Sequence, residues 1–191
     1  MIENIFIKVI ILISLVACKS YSQNFNSKDW LLFERENITY HTISKSETFS
    51  IDDYTFEIIW GNKVSYTEKL GYYGGISSIK IYKNKALINT FSNIEDTVAL
   101  GEIHLTFYDY NFDGHLDFTL PIDCGKSCWY KYYLYNPKTN KFQHSKDWDY
   151  LRIQKINKEM KLILSQPDGA ATESQQKVYQ IDEFKLFELI N

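Results

Sequence analysis

The sequence predicts an all-β fold, arranged as an antiparallel meander of short strands. Apolar and polar residues alternate with period two in short stretches, which are separated by clusters of turn residues. Aromatic residues make up 16% of the chain, with 15 Tyr and 12 Phe, and aromatic side chains favour strands. No stretch beyond the N-terminal segment has helical periodicity. The predicted architecture is a propeller-like ring of small sheets, with a β-sandwich or a barrel as the alternatives.

Turn residues between the alternating stretches predict individual hairpins. The Gly-Asn pair at 61–62 predicts a two-residue turn between YTFEIIW and KVSYTE. Residues 83–85 separate SIKIY from ALINTF, and residues 137–140 separate KYYLYN from KFQH. Residues 182–183 separate VYQI from FKLFELI, and a Pro-Asp-Gly turn at 167–169 follows MKLILS. The sequence therefore predicts four hairpins and one further turn.

The N-terminal segment predicts export. Residues 1–17 contain an apolar run that is too short for a membrane-spanning helix of ~20 residues but suits a signal peptide. The run ends in LVAC, which resembles the bacterial lipoprotein signal, and this resemblance implies cleavage before Cys18 and acylation of its thiol. Residues 18–29 would then be a tether, and 30–191 a single β domain. The alternative is ordinary signal-peptidase cleavage after the Ser-Tyr-Ser of residues 20–22, which also implies export.

The charge and length of the chain limit the classes of partner. The net charge is −3, and loss of residues 1–17 leaves it unchanged because that segment carries one acid and one base. A mildly acidic chain with no basic stripe argues against nucleic acid as a partner. The remaining length suits one domain with its own core. The predicted location is the bacterial cell envelope, with the protein anchored by lipid and facing the periplasm or the cell surface.

Two cysteines remain if Cys18 is acylated. Cys124 and Cys128 are an even pair in an oxidising compartment and would close a small disulfide loop. The alternative is two reduced cysteines in a loop. A zinc site would need two further thiols or imidazoles, and none has the usual spacing.

The stretch DYNFDGHLD, residues 109–117, predicts a calcium site. Side-chain oxygens occur at its odd positions, a glycine stands at position 6 where the chain must turn, and position 7 would supply a main-chain carbonyl. The predicted ligands are Asp109, Asn111, Asp113, Asp117 and the carbonyl of His115. The flanks alternate as strands and position 12 is Leu120, so the loop is not an EF-hand. The alternative is an Asx-rich turn that binds nothing, although its like charges would repel without a cation.

The pattern D-x-N-x-D-G-x-x-D between strands resembles the calcium loops of FG-GAP and integrin-type β-propellers. The aromatic strand that follows, residues 129–139 with Phe142, extends the resemblance to a family of bacterial envelope lipoproteins. That family includes propeller-like, calcium-binding immunity proteins that inhibit lysozyme-like effectors. The resemblance covers residues 107–142. It implies an inhibitor or immunity protein, with a lysozyme-like peptidoglycan hydrolase as its partner.

The resemblance also implies where a partner would bind. Lysozyme inhibitors insert a loop with small and hydroxyl residues into the enzyme cleft, and the corresponding segment here is CGKSCWY. Lys126 would pair with an enzyme carboxylate and Ser127 would donate a hydrogen bond, although the usual Ser-Gly-x-Tyr form is absent. A second candidate is LGYYGG, where glycines would present Tyr72 and Tyr73, residues favoured at interfaces. The alternatives are a stapled loop without a partner and a packed turn.

Catalytic motifs are missing from the sequence, which predicts that the protein is not an enzyme. The four histidines have no paired spacing, and the chain has neither a Gly-x-Ser-x-Gly elbow nor a phosphate-binding glycine loop. A glycoside hydrolase needs only two carboxylates in a cleft, so a periplasmic hydrolase stays an alternative. The other alternative is an envelope binding or scaffold module without inhibitory activity.

Overall fold

The fold consists of three antiparallel sheets. A computed structural model describes residues 25, 27–69, 71–92, 94, 102–124, 128–166 and 176–189, with the main chain alone at 64–67, 71–73, 123–124 and 128. The described strands are β1 (Leu31–Leu32), β2 (Thr39–Ile43), β3 (Glu47–Ile51), β4 (Tyr54–Thr67), β5 (Gly71–Lys83), β6 (Ala86–Ser92), β7 (Ile103–Tyr108), β8 (Asp117–Cys124), β9 (Cys128–Asn136), β10 (Lys141–His144), β11 (Ile153–Asn157), β12 (Leu162–Ser165), β13 (Lys177–Asp182) and β14 (Lys185–Leu189). Two short 3-10 helices cover Phe33–Arg35 and Lys146–Trp148.

Each sheet is largely a meander, and the N-terminal strands join sheets that form later in the chain. The first sheet has the order β3-β4-β5-β6, the second β10-β9-β8-β7-β2, and the third β1-β11-β12-β13-β14. Strand β2 pairs with β7, and β1 pairs with β11. The predicted all-β antiparallel class is therefore confirmed. No closed barrel or propeller is detected among the described strands.

Three of the predicted hairpins are confirmed, and each has a left-handed residue in its turn. Asn84 and Lys85 form the two-residue connection between β5 and β6, with φ values of 50° and 66°. Asn140, with φ 54°, ends the connection between β9 and β10. Glu183, with φ 52°, lies in the connection between β13 and β14. The turn at 167–169 lies outside the described residues.

The hairpin predicted at residues 61–62 is wrong, because β4 continues through both residues. Gly61 pairs with Gly75 of β5, and the next pair along the ladder is Ser65 with Tyr73. The extra residues of β4 are absorbed as an irregularity in the ladder, and neither 61 nor 62 has a positive φ. A two-residue hairpin turn needs positive φ, whereas a bulge accepts glycine in a strand without reversing it.

The second sheet lies between the other two and is buried on both faces. Alternate residues of β9 point to opposite sides: Tyr133 and Tyr135 join the larger core with the first sheet, while Tyr132 and Leu134 join the smaller core with the third. Seven of the sixteen buried side chains described in the larger core are aromatic, and Phe118 stacks on Tyr133 with 4.7 Å between ring centroids. The high aromatic content of the chain is therefore used to fill a core between twisted sheets.

The predicted signal peptide, Cys18 and most of the predicted tether lie outside the described residues. Phe25, near the end of that tether, contacts the domain. Its ring lies edge-on to Trp30 at 5.4 Å between centroids, and its carbonyl accepts a hydrogen bond from Lys155 Nζ at 2.7 Å. Among the described residues, no helix has the length and hydropathy that crossing a bilayer requires.

Candidate functional site

The aspartate-rich segment forms the connection between β7 and β8. The two strands pair up to Tyr108 and Asp117, so the loop leaves and re-enters the sheet at adjacent points. Two of its residues are left-handed, Phe112 with φ 55° and Gly114 with φ 85°. A Cβ at Gly114 would meet nothing within 4 Å, so glycine is needed there for its backbone conformation and not for space.

Asp109 holds the turn by accepting hydrogen bonds from the main chain. Its Oδ1 accepts from the N–H of Asp113 and its Oδ2 from the N–H of Gly114, both at 2.9 Å. Burial raises the pKa of this carboxyl group, and the two hydrogen bonds oppose part of that effect. Asp109 therefore closes the loop on itself through these two hydrogen bonds.

Asp117 is the most buried carboxylate of the loop, with 0% of its surface exposed. Its Oδ2 accepts from the N–H of Tyr110 at 2.9 Å, and its Oδ1 accepts from the N–H of Tyr135 in β9 at 2.8 Å. Burial raises its pKa well above the usual range, and the nearby charges of Asp113 and Asp109 raise it further. The side chain therefore ties the loop to both strands of the β8–β9 hairpin, and its burial disfavours the ionised form.

Asn111 has a buried oxygen without a partner. The residue is 1% exposed, and its Nδ2 donates to Asp113 Oδ2 at 2.9 Å and to the carbonyl of Glu183 at 3.2 Å. Its Oδ1 is buried and accepts no hydrogen bond. Reversing the amide would place that oxygen against two acceptors, so the orientation is fixed by its neighbours. An unpaired buried oxygen costs free energy unless a donor or a cation meets it.

The five predicted calcium ligands are thus in one loop, but their carboxylates face N–H groups. Asp113 Oδ1 accepts from the N–H of His115 at 2.9 Å, and its other oxygen is bonded to Asn111. In the described part of the chain, no three His, Cys, Asp or Glu side chains form a group suited to a metal ion. Each carboxylate oxygen has two lone pairs, however, so an oxygen bonded to one N–H retains a site for a cation.

The other predicted site residues are only partly described. The main chains of Cys124 and Cys128 are opposite each other at the end of the β8–β9 pairing. Lys126 and Ser127 lie outside the described residues.

The segment that contains Tyr72 and Tyr73 is part of strand β5 and not a loop, which corrects the prediction of a glycine turn. A Cβ at Gly74 would lie 2.9 Å from Trp60 Cε2 and closer still to Nε1. This glycine therefore permits close packing within a strand.

Sequence reasoning named Trp129 within the CGKSCWY segment but missed its contact with Tyr150, and it missed Arg152. Trp129, near the loop end of the β8–β9 hairpin, has its ring centroid 6.3 Å from that of Tyr150, which is 59% exposed. Arg152 lines a cavity between the second and third sheets. The available signal was composition, because Arg152 is one of only two arginines in a lysine-rich chain.

Comparisons of the chain with protein-family models, with curated proteins and with solved structures found no match in any of the three. The family resemblance over residues 107–142 therefore rests on the sequence motifs quoted above.

Proposed function

We propose that the protein is a calcium-binding protein of the cell envelope that acts by binding a partner and not by catalysis. The observation that carries the calcium site is the unpaired Oδ1 of Asn111, buried in the same loop as three aspartates. Calcium prefers oxygen ligands from carboxylates, amides and main-chain carbonyls. A buried amide oxygen with no donor, whose orientation is fixed by two other bonds, is suited to a hard cation.

The donor set fits calcium. Oxygens of Asp109, Asn111, Asp113 and Asp117 would hold the ion, together with the carbonyl of His115. A bound calcium ion would offset the negative charge of the three carboxylates. Because Asp117 is hydrogen-bonded to Tyr135 in β9, a change at the loop would reach the β8–β9 hairpin. We therefore expect calcium binding to change the position of the β8–β9 hairpin.

Calorimetry with calcium and magnesium tests this site. Without a glutamate at position 12, we expect a calcium dissociation constant on the order of 10⁻⁴ to 10⁻³ M. At ~100 times that constant, calcium should raise the free energy of unfolding by ~2.7 kcal/mol. For a domain of this size, the melting temperature should rise by roughly 5–10 °C.

Asp113→Asn should weaken calcium binding. Asp53→Asn, which removes the same charge from an exposed turn, should leave binding unchanged. Absence of heat and of a thermal shift at millimolar calcium in the unsubstituted protein would overturn the proposal.

We further propose that the partner is a lysozyme-like peptidoglycan hydrolase, bound through the end of the β8–β9 hairpin. The specific observation in favour is the Trp129–Tyr150 pair beside the loop end of that hairpin. Trp and Tyr are enriched among the residues that dominate binding energy at interfaces. Lys126 and Ser127 in the hairpin loop would contact carboxylates of the enzyme cleft, as the family resemblance implies.

Hydrolysis of labelled peptidoglycan by a panel of hydrolases, with and without this protein, tests the inhibitor proposal. Lys126→Ala, Ser127→Ala and Tyr150→Ala should weaken inhibition without changing the melting temperature. Asp113→Asn should weaken inhibition and calcium binding together. If no hydrolase is slowed, the scaffold alternative replaces the inhibitor. If the protein alone releases fragments from peptidoglycan, the hydrolase alternative replaces both.

Two covalent features belong to the same proposal. Opposed residues of an antiparallel pair have Cα atoms about 4.5–5.5 Å apart, which suits a disulfide between Cys124 and Cys128. Intact-mass measurement with and without reductant should show this bond, and two alkylatable thiols in the unreduced protein would exclude it.

Metabolic labelling with a fatty-acid analogue should mark the wild type and not Cys18→Ser. Equal labelling of both proteins would exclude the lipid anchor.

We propose a propeller-like arrangement for the three sheets. Support comes from β1, which begins the described strands and yet pairs with β11 in the third sheet. Such a contact between the first strand and a late sheet is a way to close a ring of sheets. A crystal structure of the mature protein, with three sheets around a common axis, would be the expected result. An open stack, in which the first and third sheets lie on opposite sides of the second and do not meet, would contradict it.

A further inference from the structure

A cavity of about 300 Å³ lies between the second and third sheets, and it adjoins the predicted partner surface because Tyr130 and Leu151, neighbours of Trp129 and Tyr150, line it. The 3-10 helix at Phe33, strand β2 at Tyr40 and strand β9 at Tyr130 contribute side chains to its lining. Arg152 and Ile153, at the start of β11, line it as well. The volume is at the lower end of the range of small-molecule sites, so it suits a single-ring ligand.

Among the described residues that line the cavity, Arg152 alone is charged and none carries a carboxylate. None of the described carboxylates forms an ion pair with Arg152, and its Nη1 is buried with no hydrogen-bond acceptor. Its main chain is held in place, because its N–H donates to Ser165 Oγ at 3.3 Å and its carbonyl accepts from the N–H of Gln166 at 3.2 Å. A guanidinium stays charged at all accessible pH values, so this group lacks a counter-charge.

The rest of the lining combines hydroxyl groups with apolar rings. Thr106 Oγ1 is hydrogen-bonded to Tyr110 Oη at 2.7 Å and to Thr119 Oγ1, and all three residues are buried. Tyr130 is half-buried, and burial raises the pKa of its phenol, which therefore keeps its proton and is able to donate to an anion. Phe33 packs 6.0 Å from Tyr110 between ring centroids and adds an apolar wall.

We propose that this cavity binds a small molecule in which a carboxylate is attached to a single ring. The carboxylate would meet the guanidinium of Arg152, where a planar pair of donors matches its two oxygens. The ring would contact Phe33 and Tyr130. Two sources share this chemistry, an acidic sugar such as a uronic acid and an aromatic carboxylic acid. No aspartate of the loop lines the cavity, so the proposed ligand would not contact a calcium ion in the loop, although Tyr110 of that loop is part of the lining.

Calorimetric or NMR titration of the mature protein with four ring compounds tests the proposal. The two acids are glucuronate and benzoate, and glucose and benzyl alcohol are their neutral counterparts. Acetate serves as the acid without a ring. We expect at least one ring acid to bind more tightly than its neutral counterpart and than acetate, at matched ionic strength. Binding of glucuronate alone would identify the source as an acidic sugar, and binding of benzoate alone as an aromatic acid.

Substitution of Arg152 tests whether the ring acid binds in the cavity. Arg152→Gln should weaken binding of the ring acid by about 10- to 100-fold, as expected for loss of a charged hydrogen-bond partner. Lys45→Gln removes the same charge from an exposed position and should have no effect. Arg152→Lys, which keeps the charge, should retain part of the affinity and provides a variant if Arg152→Gln does not fold. Absence of binding, equal binding of a neutral compound or of acetate, or unchanged affinity in Arg152→Gln would overturn the proposal.

Discussion

Asp117→Ala should be strongly destabilising in the absence of calcium, because two main-chain N–H groups depend on this carboxylate. The N–H groups of Tyr110 and Tyr135 donate to its two oxygens, and both tyrosines are buried. A buried donor left without an acceptor costs about 1–3 kcal/mol, so losing two acceptors should cost about 2–6 kcal/mol. That is a large part of the ~5–15 kcal/mol by which a domain is ordinarily stable.

Comparing Asp117→Asn with Asp117→Ala distinguishes the effect of losing hydrogen-bond acceptors from the effect of losing the charge. The amide keeps one oxygen, so one of the two N–H groups stays paired and the loss should be about 1–3 kcal/mol. Urea unfolding at neutral pH with a calcium chelator measures both variants, and Asp53→Asn serves as the control for removal of a surface charge. A loss below ~1 kcal/mol for Asp117→Ala would refute the hydrogen-bonding argument. An equal loss in both variants would attribute the effect to charge.

Two further predictions concern other parts of the fold. Burial raises the pKa of Glu36, but hydrogen bonds from Lys158 and Tyr108 outweigh it and hold the pKa below 4.5. Glu36 therefore stabilises the protein above pH 4.5, and this contribution is lost as the pH falls through the lowered pKa. The difference in unfolding free energy between wild type and Glu36→Gln should shrink from pH 7 to about pH 3, and a constant difference would contradict it. Gly74→Ala should cost about 1–3 kcal/mol in urea unfolding, because its Cβ overlaps the indole of Trp60, and an unchanged midpoint would show that this ring moves aside freely.

Features that depend on neighbouring residues could be predicted from the sequence. The hairpins at 83–85, 137–140 and 182–183 use residues that accept left-handed conformations or begin turns, and these preferences are local. The all-β class followed from period-two alternation for the same reason. The loop 109–117 was found because its oxygen-bearing residues and Gly114 are within nine positions.

Features that depend on distant residues were decided only by the tertiary structure. Residues 61–62 have turn composition, but the pairing of β4 with β5 keeps them extended and uses them as a bulge. The segment with Tyr72 and Tyr73 also has turn composition, but it is the strand that pairs with β4, and a role of these tyrosines at an interface stays a prediction.

At the two candidate sites too, local features could be predicted from the sequence and features that depend on distant residues could not. The sequence by itself determined the donor set of the aspartate loop. The orientation of Asn111 depends on the carbonyl of Glu183, and the burial of Asp117 depends on β9. The cavity at Arg152 requires two sheets to meet, so no local pattern signals it. Hydrogen bonding within a turn is fixed by short-range geometry, whereas burial and charge compensation depend on which distant strands pack together.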